Sequence, residues 1–275
     1  MGRAKEIIVK VIPAKIANEF VKKHHYSGKV VNNSQLHFGC FLDDKLHGVM
    51  SYGCPLDKSK VLHLVQPCLW NEMLELNRMA FDDYLPKNSE SRCISISIKL
   101  LKKNAPHIKF ILSYSDATHC GDGSIYRSSG FKLTGYSTAS MIELPERLWK
   151  YNGGGKYAHR MTLQAKSNIM YRVAQQELNL NGAYKSMEWY AEKWGTKVIE
   201  GFQFRYIYLI DKNSKITVPI LPFSTIDEIG GGMYKGEKVS LQERKQNAAI
   251  AHLGERLASS QEGAFDATMP LNSLI

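Results

Sequence analysis

No two of the five cysteines (Cys40, Cys54, Cys68, Cys93, Cys120) stand as a C-x-x-C pair. That spacing excludes a zinc ribbon and offers no disulfide framework. An odd number of scattered thiols fits a reducing compartment. The sequence lacks any run of 18 apolar residues, and its beginning holds no signal-type apolar stretch, so neither a membrane span nor secretion is expected. It also lacks a G-x-G-x-x-G opening a helix after a strand, and any Asp/Asn/Ser-Pro-Pro-aromatic motif. Both absences argue against a methyltransferase. There is no internal repeat.

What is present is positive charge. Lys and Arg number 36 against 26 Asp and Glu, a net charge of +10. The stretch from Ser214 to Ile275 is close to neutral, so the excess sits in the body before it. A basic body suits a polyanionic partner, because phosphate neutralisation supplies most non-specific nucleic-acid affinity. The other reading is a basic enzyme with no such partner. With 275 residues, 44% of them hydrophobic, the chain can bury one sizeable core and still carry a tail.

Periodicity gives the elements. Glu6–Pro13 reads as a strand, and Ala14–His25 as a helix stopped by Tyr26-Ser27-Gly28. Leu36–Leu42 and Leu46–Gly53 form a hairpin around Asp43-Asp44-Lys45. Met73–Phe81 is a strand, Arg92–Lys103 a helix with Ser89 as a cap, and Lys109–Ser115 a buried strand. A turn at Gly121-Asp122-Gly123 opens a short helix, Ser124–Ser129, and Phe131–Ser137 follows as a strand. Leu148–His159 reads as a flexible glycine-containing loop, Ser167–Leu178 and Ser186–Trp194 as short helices, and Phe202–Asp211 as a strong strand. The expected fold class is α/β of the α+β mixed kind, a mixed sheet with helices on both faces. Residues 1–213 would form the working domain, with 145–200 as an insertion. Residues 214–275 would be an extension, with a helix at Val239–Ala258 and an extended or disordered end.

This order resembles the GCN5-related N-acetyltransferase fold, in which a V-shaped splay between two central strands admits a thioester donor. The splay would fall between Met73–Phe81 and Lys109–Ser115. The usual donor-binding turn, Q/R-x-x-G-x-G/A, cradles a pyrophosphate on backbone N–H groups. Here it is replaced by Leu85-Pro86-Lys87-Asn88-Ser89-Glu90-Ser91-Arg92. The departure speaks against an ordinary coenzyme A cradle. Lys87, Asn88, Ser89, Glu90 and Ser113 are the expected donor contacts.

The series His25-Tyr26-Ser27, Leu76-Asn77-Arg78, Lys87-Asn88-Ser89-Glu90-Ser91, Ser113-Tyr114-Ser115-Asp116, Gly123-Ser124-Ile125-Tyr126 and Gly130-Phe131 resembles the phage Mom DNA-modification family over roughly residues 20 to 140. Each piece is short; their order and spacing carry the likeness. The family converts adenine in phage DNA to N6-carbamoylmethyladenine, which blocks host restriction. The resemblance implies an acyltransferase-like enzyme acting on DNA in the cytoplasm of an infected bacterium. It also implies functional roles for His25, Tyr26, Arg78, Ser91, Asp116 and Tyr126.

Those residue types suit the chemistry. His25 beside Tyr26 offers a general base or metal ligand next to a hydroxyl, or simply a histidine favoured by the helix dipole. Asp116 leaves the carboxyl end of a central strand, where side chains face the cleft of an open sheet, or it closes a local turn. Arg78 lies in an apolar strand and needs an anion: Glu75, Asp82 or a phosphate. Glu90 would repel a pyrophosphate but would complement the helix dipole or an ammonium on the donor. Tyr126 can donate to a leaving group or pack in the core. Lys156, Tyr157, His159 and Arg160 would contact DNA, with Trp149, Tyr151 or Tyr157 stacking on a base, or they belong to a mobile surface loop with no such role.

The adenine amine is a poor nucleophile and is hidden in the duplex, so the base must be flipped out or single-stranded. Two donors remain open. Acetyl-CoA would need oxidation at its methyl carbon and a nitrogen source, for which an iron on His25, Tyr26 and Asp116 is one option. An activated glycyl donor such as glycyl-tRNA needs no redox step and would make tRNA a second partner. A dimer is allowed. The alternatives are an acetyl-CoA-dependent N-acetyltransferase for a small amine or protein, and a non-catalytic DNA-binding protein.

Overall fold

The computed structural model describes residues 3–118 and 121–234, together with 237–238, 242–243 and 246. In chain order the principal elements are β1 (Ile8–Val11), α1 (Ala14–His24), β2 (Ser34–Leu42), β3 (Lys45–Gly53), β4 (Met73–Phe81), α2 (Ser89–Asn104), β5 (Phe110–Asp116), α3 (Ser124–Ser128) and β6 (Lys132–Thr138). They continue as β7 (Met141–Glu143), β8 (Tyr157–His159), α4 (Ile169–Glu177), α5 (Met187–Trp194), β9 (Val198–Ile199) and β10 (Phe202–Leu209).

Seven strands form one mixed sheet in the order β1-β2-β3-β4-β5-β10-β6. The β2–β3 hairpin turns on Asp43 and Asp44, both at positive φ (51° and 59°), the conformation of a tight hairpin turn that short polar side chains tolerate. β4 and β5 are parallel, while every other neighbour pair in this sheet is antiparallel. Parallel strands need a crossover, and α2 supplies it. Its inward face (Cys93, Ile94, Ser97, Ile98, Leu101) packs on Phe38, Cys40, Met50 and Tyr52, where the Tyr52 hydroxyl meets Ser97 Oγ at 2.7 Å. On the opposite face α1 presents Ala17, Phe20 and Val21 to Val49 and Ala80. Phe110, Ile111 and Leu112 of β5 are fully buried, as a strand covered on both faces requires.

The expected splay is present. β4 and β5 pair only from Met73 opposite Phe110 to Leu76 opposite Ser113. Beyond that, β4 stays with β3 as far as Phe81, and β5 stays with β10 as far as Asp116. Against β3, Tyr52 faces Leu76 and Ser51 faces Arg78, so Asn77 is an extra, bulged residue at the point of divergence. Bulges bend a strand and re-aim its side chains, often beside active sites.

Between β6 and β10 the chain builds a second core. β9, β7 and β8 form a three-stranded sheet, and α4 and α5 close over Ile142, Leu144, Ala158, Met170 and Tyr190. Asn168 and Ser186 cap the two helices by accepting from Met170 N and Trp189 N. The loop expected over Leu148–His159 is corrected here. Helix Glu146–Trp149 enters it, a 3-10 turn follows at Lys150–Asn152, and Tyr157–His159 is a strand paired with Met141–Glu143. Strands of two or three residues show no alternation in sequence; only the pairing defines them. Apart from residues 242–243 and 246, the helix expected at Val239–Ala258 and the tail after it lie outside the described residues, as does Cys120. Among the described residues no helix is long and apolar enough to cross a membrane.

Candidate active site

The diverging halves of β4 and β5 open onto a cavity of about 420 Å³. Its walls are Glu75 to Met79 from β4, Tyr114 to Asp116 from β5, Gly123 to Tyr126 around the start of α3, Glu90 from α2, and His25 with Tyr26 from the end of α1.

Glu75 is the group best suited to move a proton. Burial favours the protonated form of its carboxyl and raises its pKa to about 7, although the Arg78 charge and the Leu56 N–H pull the other way. A carboxyl titrating near neutrality is matched to general-base work. Sequence reasoning treated Glu75 only as a partner for Arg78. Its signal was a glutamate inside an apolar strand, two residues before the bulge. Tyr114, on the facing strand, feels the Glu75 charge and its own burial, and both raise its pKa.

Arg78 does not pair with Asp82, which instead meets His47 Nδ1 at 2.9 Å, and no carboxylate among the described residues reaches ion-pair distance of it. It is held by donating to backbone carbonyls, Nε to Lys29 O at 2.9 Å and NH1 to Asn77 O at 2.7 Å. Tyr26, Glu75 and Tyr126 act on it electrostatically, against the burial that lowers its pKa. A guanidinium stays charged, so the cavity holds a fixed, partly desolvated cation.

Tyr26 donates to Asp116 Oδ2 at 3.2 Å, and Asp116 Oδ1 accepts the Thr118 N–H at 2.8 Å. The two readings of Asp116 therefore both hold: one oxygen closes a local turn while the other faces the cavity group. His25 leaves α1 in extended conformation, its N–H still bonded to Val21 O. Its Nδ1 accepts the backbone N–H of Ser27 at 3.1 Å. That bond places the ring proton on Nε2. Burial and the Arg78 charge push its pKa down to about 4 despite Asp116, so the ring is neutral at pH 7. His25 thus presents a donor nitrogen rather than a free base. His159 repeats the pattern. Its Nδ1 accepts Met161 N–H at 3.2 Å, and burial and Arg160 lower its pKa while Asp116 opposes them.

A second basin of about 450 Å³ shares His25 and Tyr26 with the first. Its other lining includes Lys29, Asn152, the Gly153–Gly155 run, Lys156, Tyr157 and His159. Three of the four residues expected to touch DNA therefore line one basin, next to the cavity. Lys156 is ion-paired with Glu143 at 2.9 Å. Arg160 is exposed at the start of a short helix.

The remaining candidates divide. Tyr126 both lines the cavity and packs its ring 5.5 Å from Phe131 and 5.4 Å from Tyr206. Glu90 lines the cavity. Ser91 does not; its Oγ donates to Asn88 O at 3.2 Å within the first turn of α2. Ser89 is buried and donates to Pro86 O, and Ser113 is buried and donates to Leu76 O. Lys87 and Asn88 are exposed outside the lining. Of the set suggested for iron, Tyr26 bonds to Asp116 and both share the cavity with His25, while among the described residues no group of three or more His, Cys, Asp or Glu side chains could hold a metal ion.

A mixed sheet splayed at its parallel pair, with a polar cavity at the opening, is the acyltransferase-like class anticipated from the strand order. The chain belongs to the Mom protein family, whose model matches residues 6–225. It is 30% identical over 213 residues to "Methylcarbamoylase mom" of Escherichia phage Mu, covering 77% of this chain and 79% of that protein. Among solved structures it is similar to an IAA acetyltransferase from Bacillus cereus (TM-score 0.39, 10% identity, 74% of this chain and 99% of that one). It is also similar to the ribosomal-protein-S18-alanine N-acetyltransferase of Escherichia coli (TM-score 0.38, 9% identity, 75% and 97%).

Proposed function

We propose that this protein is a phage DNA-modification enzyme that transfers an activated acyl group to the exocyclic amine of adenine. The observation that carries this is Glu75, a buried carboxyl with pKa near 7 beside the Arg78 cation, in a cavity that adjoins a second basin across His25 and Tyr26. The donor occupies the cavity, and a flipped or unpaired adenine enters from the basin. As N6 attacks the acyl carbon, its proton passes to the Glu75 carboxylate. Arg78 and the His25 Nε2–H face the negative charge that develops on the carbonyl oxygen. The N6–C bond forms, the bond to the donor's leaving atom breaks, and that atom takes a proton from Tyr126.

Acyl transfer alone gives an N-acyl adenine, whereas a methylcarbamoylase must leave an N–CH2–CONH2 group. A glycyl donor, such as glycyl-tRNA, accounts for this without redox chemistry. The free amine of N6-glycyladenine attacks C6 through a five-membered ring, the original C6–N6 bond breaks, and N6 leaves as the carboxamide nitrogen. The step is an isomerisation, with atoms and electrons conserved. Glu90 on the cavity wall suits the ammonium of such a donor.

Mass spectrometry of nucleosides from the DNA of cells expressing the protein tests the reading; an unmodified adenine pool would remove it. Feeding 15N-glycine tests the donor. Label on the nitrogen attached to C6 is expected, and label in the terminal carboxamide would overturn the rearrangement.

A further inference from the structure

The connection between β3 and β4 carries apolar surface that the fold leaves uncovered. Leu56 is 94% exposed, Leu69 66% and Trp70 54%. Isolated exposed apolar residues are ordinary. Leu56 lies two residues before Lys58, which reaches Trp70, and three residues after Gly53, which faces Glu75 of the cavity wall. Lys58 Nζ donates to Trp70 O at 3.0 Å and lies 5.3 Å from the Trp70 ring centre. Pro55, just before Leu56, is buried. Asp57, just after it, caps the short helix Lys58–Val61 by accepting from Lys60 N at 3.3 Å. Leu56 is therefore displayed at the tip of a turn fixed on both sides. Its backbone N–H acts on the Glu75 carboxyl, and Gly53, three residues back, is the register partner of Glu75. A nearly fully exposed apolar side chain thus stands three residues along the chain from the strand position that faces Glu75 of the cavity wall. Lys58 and Lys60 follow it closely, and with Asp57 paired to Lys60 at 3.1 Å the turn carries one net positive charge.

Reaching the amine of a paired adenine means pulling the base from the stack, at the cost of unstacking and unpairing. Proteins that distort duplexes recover part of that cost by inserting an apolar side chain into the gap. We propose that the Leu56 turn is a DNA wedge: Leu56 enters the duplex and occupies the space vacated by the extruded adenine, Lys58 and Lys60 meet the flanking phosphates, and Trp70 covers an adjoining base. The inference rests on the reading of DNA adenine as the substrate. It adds a duplex-opening device that neither the cavity nor the second basin contains.

The test uses the full chain and duplexes whose adenines are replaced one at a time by 2-aminopurine, which brightens when it leaves the stack. The wild-type protein is expected to raise the fluorescence at one position. Leu56→Ala is expected to abolish most of that rise and to lower the ratio of duplex to single-strand modification by about tenfold or more, and Leu56→Met to restore both. Because the side chain is exposed, the thermal midpoint should not move. The proposal is overturned if wild type gives no rise, if Leu56→Ala keeps it, or if duplex and single-strand rates fall equally. A Leu56-dependent rise with no modified base would support the wedge while removing the proposed reaction.

Discussion

The Tyr26 hydroxyl donates to Asp116 Oδ2 at 3.2 Å, joining the end of the first helix to the end of a central strand 90 residues later. The bond crosses the mouth of the splay, and both residues line the cavity beneath it. Tyr26→Phe should lower the modification rate about tenfold, the worth of one such hydrogen bond, and Asp116→Asn should do the same. If the bond is what matters, the double variant will be no worse than the poorer single one. Additive losses in the nucleoside assay would instead separate their roles.

Glu75 predicts the pH behaviour. The rate at saturating DNA should rise with pH and level off above about 7, as the carboxyl ionises. Glu75→Gln should lose about 10²- to 10⁴-fold in rate along with that limb. Stability should move the opposite way. The folded chain holds the Glu75 proton more tightly than the unfolded chain, so this residue's contribution is present below the ordinary glutamate pKa and fades as pH rises through about 7. Thermal melts of wild type and Glu75→Gln across pH 4 to 8 should therefore diverge in favour of the variant at the alkaline end.

Arg78 is a partly buried cation with carbonyl partners and no ion pair among the described residues. Arg78→Met keeps much of its length and removes the desolvated charge. Melting temperature should hold or rise, because a poorly paired buried charge is costly, while activity falls about 10²-fold or more. Arg78→Lys should not restore the rate, since an ammonium cannot span both carbonyls while facing the substrate. Loss of fold in Arg78→Met, read by circular dichroism, would show that the guanidinium is structural.

Gly123 opens the short helix that carries Tyr126. Its φ is +83°, and a Cβ there would sit 2.4 Å from the Tyr206 ring, whose hydroxyl donates to Asp122 O. Gly123→Ala should cost about 1–3 kcal/mol of stability from strain and overpacking combined. It should also displace Tyr126, so the loss of activity should exceed the loss of folded protein. Equal losses in both would leave Tyr126 as core packing only.

Much of the fold was legible because the central elements are long and strongly patterned. β4 carries apolar Met73, Leu74 and Leu76 and runs over the expected Met73–Phe81, and α2 extends the anticipated helix back to Ser89, which is its first residue and not its cap: Asn88 holds the cap position, and the Ser89 hydroxyl donates backwards to Pro86 O. The three short strands of the second core were hidden, since two or three residues carry no period. In the site, His25, Tyr26, Arg78, Glu90, Asp116 and Tyr126 line the cavity. Ser89, Ser91 and Ser113 do not, because their hydroxyls are taken up by nearby carbonyls. Those bonds depend on backbone positions that residue type does not reveal.

By itself the sequence determined a basic α/β chain, the order of strands that places a splay between Met73–Phe81 and the next central strand, and the family signature. These follow from local periodicity, charge and spacing, which neighbouring residues share. Only the tertiary structure decided which carboxyl is held near neutrality. Glu75 titrates near 7 because packing strips its water, and His25 stays neutral because burial, Arg78 and the Ser27 N–H all favour the uncharged ring. Solvation is a property of the surroundings, assembled from strands and loops far apart in the chain, and no stretch of sequence contains it.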